Sequence, residues 1–338
     1  MNTKQLNTLF LGFIAFFLFI YVLYIGKSIF ISLIFTFFLF ILLSSAFWFF
    51  QKHTKNTAFS VLLTAGSGIW FFILIYFILS SQIDSFSEEI PRYKDVFSWV
   101  GELLKSLTGR DFSIWTLLDS VNFSNIFSGI WTFVSNFLGY IGTILFFLIF
   151  IFLEKKYFIQ KIGYIFENKA EKKFFSIVEK IHADLTLYFG VKFLMAFVNG
   201  FVSYIVMLSF GLEYALFFAL LVFLLDFIPN IWGIIALSFP FLYSFLQFSS
   251  PVTAFILLAF LIVPQTITGN IIEPKLYGSR LNLSGFVILL SLLFWGSLWW
   301  IVGAFLAVPI MTSLNIIFSK FEATRPVAIL LSEKGDVQ

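Results

Sequence analysis

The chain has 338 residues, of which 60% are hydrophobic and 12% charged, with 52 phenylalanines and a mean hydropathy of +0.99. Soluble domains are about a quarter charged, so this composition excludes an ordinary water-soluble fold and specifies an integral membrane protein. The formal net charge is only +3 and its basic residues sit in loops rather than on one face, which gives no indication of nucleic-acid binding. With no cysteine in the chain, disulfides, thiolate metal sites and cysteine nucleophiles are excluded.

The first segment, MNTKQLNTLFLGFIAFFLFIYVLYIG, has the apolar centre of a signal peptide. It is too long and lacks a small-residue cleavage site, so it reads as a retained helix. Apolar runs of about 18 residues or more mark spanning helices. They place spans near 6–25, 28–50, 58–80, 130–153, 187–210 and 252–269. Two further apolar stretches, 214–248 and 284–319, are interrupted at their middles. The expected fold is all-α: a polytopic helical membrane protein of about six full spans, with two interrupted helical hairpins in its C-terminal half.

The layout divides into an N-terminal three-helix membrane region (1–80), an extracytoplasmic amphipathic segment (81–129) and a spanning helix (130–153). A cytoplasmic amphipathic segment (154–186), a core with the two hairpins (187–319) and a cytoplasmic tail (320–338) follow. Lys52 and Lys55, and the lysines crowding 154–186, set the orientation. Positive charge stays inside, which puts both termini in the cytoplasm. Val96, Val100, Leu103, Leu104 and Leu107 recur at helical spacing in the outer segment, as do Phe174, Val178, Ile181, Leu185 and Tyr188 in the inner one. Both read as helices lying on the membrane surface or on neighbouring helices. Gly66, Gly68, Gly139 and Gly142 are read as points of close helix packing.

The segment DFIPNIWGIIALSFP poses the central question, because it interrupts an apolar stretch with Asp226, Pro229, Asn230, Gly233 and Pro240. Fifteen residues from Tyr214 to Ile228 reach roughly 22 Å as a helix, short of a ~30 Å hydrocarbon core. Irregular backbone survives at membrane depth only inside protein or beside a water-filled cavity. The second stretch has a related shape, with Gly303 and Pro309 spaced much as Gly233 and Pro240 are. Interrupted segments of opposite orientation point to a transporter's substrate site. The alternative is two pairs of ordinary short helices with surface loops. A carboxylate near the bilayer centre costs about 2.5–3.5 kcal/mol, so Asp226 is expected to face a cavity or a partner. The other reading is a structural acid that reaches the interface or stays protonated. Glu213, at a membrane edge, reads as structural.

The connection PQTITGNIIEPKLYGSRLNLSG is the other polar concentration. Pro264 should kink the preceding helix, leaving Gln265 and Thr266 facing protein or cavity. Gln265 and Asn270 join Asp226, Pro229, Asn230, Gly233, Gly303 and Pro309 as candidate substrate-binding residues. Glu273, Pro274, Lys275 and Arg280 form either an inner gate or a solvated interfacial loop.

IPNIWGIIALSFP, GNIIEPKLYGSRLNLSGFVILLSLLFWG and VGAFLAVPIMTSLNIIF together resemble the autoinducer-2 exporter (AI-2E) family of bacterial permeases. The resemblance covers nearly the whole chain in layout and about 185–320 in motif. Trp232 before Gly233, Ile234 where the family often has proline, and Asn-Leu-Ser-Gly at 282–285 depart from the pattern. The resemblance implies efflux of a small polar signalling molecule across the bacterial inner membrane or, for some relatives, Na⁺/H⁺ antiport. It also implies a homo-oligomer.

No Gly-x-x-x-x-Gly-Lys-Ser/Thr occurs, so nothing in the sequence cradles ATP phosphates and a gradient or passive flow must drive transport. No His-Glu-x-x-His occurs either, and the two histidines, His53 and His182, are far apart. No metal, cofactor or enzymatic chemistry is indicated. Three functions stay open: an exporter of a small polar solute using Asp226 and Asn230, a Na⁺/H⁺ antiporter using Asp226, and a non-transporting scaffold. For a transporter, the two hairpins are expected to close alternately around a shared site.

Overall fold

A computed structural model describes residues 3–89, 142–151, 168–228, 232–248, 250–278 and 280–336, with isolated positions between 153 and 165. All regular elements among the described residues are helical. They are α1 (Thr3–Ile25), α2 (Lys27–Thr54), α3 (Thr57–Glu89), α4 (Asn168–Ser209), α5 (Ala215–Leu225), α6 (Trp232–Phe248) and α7 (Pro251–Ile267). A π-helical turn (Thr268–Ile272), α8 (Glu273–Tyr277), α9 (Gly285–Ser319) and α10 (Arg325–Leu331) complete the order. Residues 142–151 are helical as well. The expected outer amphipathic helix around Val96–Leu107 lies outside the described residues.

Among the described residues, four stretches are long and apolar enough to cross a membrane: Lys27–Ser44, Ala170–Ser209, Pro251–Tyr277 and Gly285–Ser319. Shorter apolar helices, Phe10–Ile25 and Phe59–Trp70 among them, accompany these. The chain is therefore an all-α membrane protein. Its inner amphipathic segment does not end before the next span: α4 runs unbroken through 42 residues. Ile181, Leu185 and Tyr188 of that segment are buried, while Val178 is exposed.

The chain divides into two compact units. The first comprises 1–61, 140–188 and 279–338; the second comprises 62–139 and 189–278. In the first, the Thr36 hydroxyl donates to the Ser32 carbonyl one turn back and to the Ile144 carbonyl at 3.4 Å. That satisfies a buried polar group without charge. Within α9 the dihedrals leave the helical region at Trp299 and Trp300. Ser291 and Ala307, sixteen residues apart, are nonetheless joined by a 3.2 Å hydrogen bond from the serine hydroxyl to the alanine carbonyl. A straight helix would separate them by roughly 24 Å. The stretch is thus a hairpin folded at the two tryptophans, with its limbs side by side. Gly303 allows the fold: a Cβ there would overlap the Trp295 carbonyl.

The second unit packs around α5. Its side chains are apolar on every face, and Phe217, Phe218, Leu221 and Val222 are completely enclosed against Leu257 and Leu261 of α7 and Met207 of α4. Helices in lipid associate through close packing rather than water exclusion, so small residues mark their contacts. Gly200 is one such contact, since a Cβ there would lie 3.0 Å from the Ala219 carbonyl. Gly66 and Gly142 are not: a Cβ at either would meet nothing within 4 Å. Among the described residues these two glycines are therefore not points of close packing, contrary to expectation, and Gly139 lies outside those residues.

The stretch 214–248 is also a hairpin. The Gln247 side chain accepts from the Glu213 N–H at 2.8 Å and donates to the Gly211 carbonyl at 2.7 Å. Tyr243 donates to the Glu213 carboxylate at 3.1 Å. Glu213 therefore clamps the open end of the hairpin, a structural role. Ser250 caps α7 by accepting from the Thr253 N–H, with Pro251 at the first helical position, where its missing N–H costs nothing.

Candidate functional site

Asp226 ends α5 at the break, and it is 4% exposed. Its Oδ1 accepts from Gln265 Nε2 at 2.6 Å and from Asn199 Nδ2 at 3.2 Å. The Asn199 Oδ1 in turn accepts from the Thr268 hydroxyl at 2.7 Å, which fixes the orientation of the amide. Lys192 Nζ lies 3.6 Å from Asp226 Oδ2 and 2.8 Å from Glu273 Oε1. Tyr277 reaches the other Glu273 oxygen at 3.4 Å. All of these residues belong to the second unit.

Each position has a local cause. Lys192 and Asn199 are seven residues apart on α4, two helical turns, so they share a face. Ser203, four residues further, extends that face and is buried too. Pro264 inside α7 and the π-helical turn after it alter the register beyond Gln265. Such bulges recur at functional sites because they re-aim side chains. Here Thr268 points to Asn199 and Glu273 to Lys192. Gly233 leaves room for Gln265: a Cβ there would sit 2.7 Å from the Gln265 Nε2.

The cluster is not neutral by count. One ammonium, Lys192, faces two carboxylates, Asp226 and Glu273. With all three ionised the sum is −1, and an unpaired buried charge is costly. Two buried acceptors also lack a hydrogen-bond partner among the described residues: Asp226 Oδ2 and Gln265 Oε1. Since Gln265 donates to Asp226, the two acceptors belong to adjoining side chains. The site can accept hydrogen bonds from a solute, or hold a proton or small cation.

Of the sequence-predicted residues, the structure brings together Asp226, Gln265, Glu273 and, through its lack of a Cβ, Gly233. Pro229 and Asn230 lie outside the described residues. Asn270, Pro274 and Lys275 are exposed, as is Thr266. Arg280 lies in the first unit, where its Nη1 is 3.6 Å from Asp184 Oδ1. Gly303 and Pro309 also lie in the first unit, where both are buried within the α9 hairpin. Sequence reasoning missed Lys192, Asn199, Thr268 and Asp184. A signal for two of them existed: Lys192 and Asn199 are polar residues seven apart, on one face of the apolar part of a single helix.

A family model described as AI-2E family transporter matches residues 13–323. The chain belongs to the AI-2E family of transporters. Among its relatives is a Haemophilus influenzae protein provisionally named as a transport protein, 30% identical over 285 residues, covering 78% of this chain and 79% of that one. The AI-2 transport protein TqsA of Escherichia coli K12 is 24% identical over 267 residues, covering 77% of each. A similarly named Borreliella burgdorferi protein is 26% identical over 250 residues, covering 72% of this chain and 68% of that one. Membership makes this protein a membrane transporter and its cargo a small solute.

Proposed function

We propose that this AI-2E family member exports a small polar solute across the bacterial cytoplasmic membrane, driven by a gradient or passively, and that autoinducer-2 is its foremost candidate cargo. The reading rests on one observation: Asp226 is buried at a helix break, and neither its Oδ2, which lies 3.6 Å from Lys192 Nζ, nor Gln265 Oε1 has a hydrogen-bond partner among the described residues. Buried acceptors without partners select for a ligand that brings donors, because leaving them empty costs about 1–3 kcal/mol each. Gly233 and Gln265 position Asp226, Asn199 and Thr268 orient it, and Lys192 balances it. The relative's name supplies the solute. Both termini lie in the cytoplasm in this reading, and the working form is a homo-oligomer.

The two-carboxylate, one-lysine arrangement supports a second reading, exchange of H⁺ for Na⁺. A second acid beside Asp226 supplies the additional oxygen ligands that a single acid lacks.

Everted vesicles carrying wild type or Asp226→Asn separate the two readings. Labelled autoinducer-2 uptake that the substitution abolishes supports export through this site. A Na⁺-triggered pH change lost in the variant, without solute uptake, supports antiport. Silence of folded wild-type protein in both assays rejects autoinducer-2 as the cargo and rejects Na⁺/H⁺ antiport.

A further inference from the structure

The polar cluster of the second unit is irregular in two ways. The first is how Lys192 divides itself between the two carboxylates. Its Nζ hydrogen-bonds Glu273 Oε1 at 2.8 Å but stays 3.6 Å from Asp226 Oδ2. All three side chains are buried. An ionised Asp226 in that setting would draw a hydrogen bond from the ammonium beside it, because an uncompensated buried charge is costly.

The second irregularity is the pair of free acceptors. Asp226 Oδ1 accepts from Gln265 Nε2 at 2.6 Å and from Asn199 Nδ2 at 3.2 Å. The remaining oxygens of the acid and the glutamine, Asp226 Oδ2 and Gln265 Oε1, have no hydrogen-bond partner among the described residues. A protonated carboxyl and a primary amide can join through two parallel bonds, amide N–H to one carboxyl oxygen and carboxyl O–H to the amide oxygen. The first of these bonds is present. A proton on Asp226 Oδ2 supplies the donor for the second. The same proton brings the summed charge of Lys192, Asp226 and Glu273 from −1 to zero.

We propose that in this conformation Asp226 is protonated at Oδ2 and donates to Gln265 Oε1, and that this proton exchanges with the solute. A donor-bearing solute entering from the cytoplasm takes the Oδ2 acceptor, and the proton leaves to cytoplasmic water. A proton arriving from outside reverses the exchange, so an H⁺ enters for each solute released. Gln265 is the positioning residue, since it holds Oδ1 and offers the proton an acceptor. Among the described residues, the other charged and titratable groups of the cluster are Lys192 of α4 and Glu273 and Tyr277 of α8. The exchange rests on the export reading, whereas the proton itself does not.

Infrared spectroscopy of the full-length protein in lipid vesicles reads the proton as the D₂O-sensitive C=O stretch of a neutral carboxyl. Wild type in neutral buffer should show this band, and Asp226→Asn should lose it. Asp184 is another buried acid, so the measure is the difference between these two spectra. Glu273→Gln should also lose the band, because Lys192 then needs Asp226 as its counter-ion. Gln265→Leu should keep it and shift it to higher frequency, as for a carboxyl freed of its acceptor. No difference between wild type and Asp226→Asn would overturn the proposal. A band that Glu273→Gln removes and Asp226→Asn retains would assign the proton to Glu273 and overturn it as well. An unshifted band in Gln265→Leu would overturn the pairing, and that variant decides if Asp226→Asn does not fold. Autoinducer-2 added to wild type should bleach the Asp226 band and release a proton per occupied chain. Binding that leaves the band in place overturns the exchange alone. Absence of binding overturns the exchange together with autoinducer-2 as cargo, while the spectra still decide the proton.

Discussion

The two interrupted stretches share an outline and differ in what occupies the break. Stretch 214–248 ends its first limb on Asp226, which is enclosed by Asn199, Gln265 and Lys192. Stretch 285–319 turns on Trp299 and Trp300, and its own sequence contains no charged residue. Trp299 donates from its indole to the Leu23 carbonyl at 3.2 Å, and Gly303 lets the second limb press against Trp295. One break is flanked by polar groups that bond one another; the other is closed by packing. A similar spacing of glycine and proline therefore makes room for a polar side chain, Gln265, in one hairpin and for close backbone approach in the other.

Lys192→Met should have the largest effect on the chemical break. It leaves two buried carboxylates without a cation, a change that typically costs 3–5 kcal/mol, about the cost of breaking a buried ion pair. Thermal unfolding in detergent should show that loss, and Glu273→Gln added to Lys192→Met should recover part of it. A loss below ~1 kcal/mol would mean that the carboxylates are neutral or solvated, and the contrast between the breaks would fail.

Asp226→Asn should separate function from stability. The amide retains the shape, and Lys192 still neutralises Glu273, so unfolding should move by no more than ~1 kcal/mol. Solute flux should nevertheless drop roughly tenfold or more, as expected for losing hydrogen bonds to a charged group.

The paired glycine substitutions bear directly on the comparison. Gly303→Ala places a Cβ against backbone and should destabilise by about 1–3 kcal/mol. Gly233→Ala meets only the end of the Gln265 side chain, which can swing away. Its stability should stay near wild type while flux falls, because Gln265 then leaves Asp226. Equal destabilisation by both would show that the first break is also a packing device. The smallest effect is expected from Trp300→Gly. Trp300 has φ of 57° and is 71% exposed, so relief of backbone strain should raise stability by ~1 kcal/mol.

Composition and apolar run length sufficed for the class of fold, because lipid admits few ways to satisfy a backbone and the charge deficit leaves no aqueous alternative. The first break was legible because Asp226 to Gly233 interrupt a run that lipid would otherwise accept. In 284–319 the glycine and proline at 303 and 309 signalled an interruption. The chain folds instead at Trp299 and Trp300, apolar residues that periodicity does not mark. Asp226 stood out because an acid in such a run has few bland explanations. Its partners did not stand out. Lys192 lies 34 residues before it and Glu273 47 residues after it. Glu273 reads equally well as a solvated loop acid until the π-helical turn aims it inward. The family motifs carried the transport class, but they contain neither Lys192 nor Asn199. Tertiary structure alone decided that two carboxylates share one ammonium and that the Trp299–Trp300 hairpin folds back on itself. Each depends on pairing residues far apart in the chain, and helical periodicity records only neighbours within a few turns.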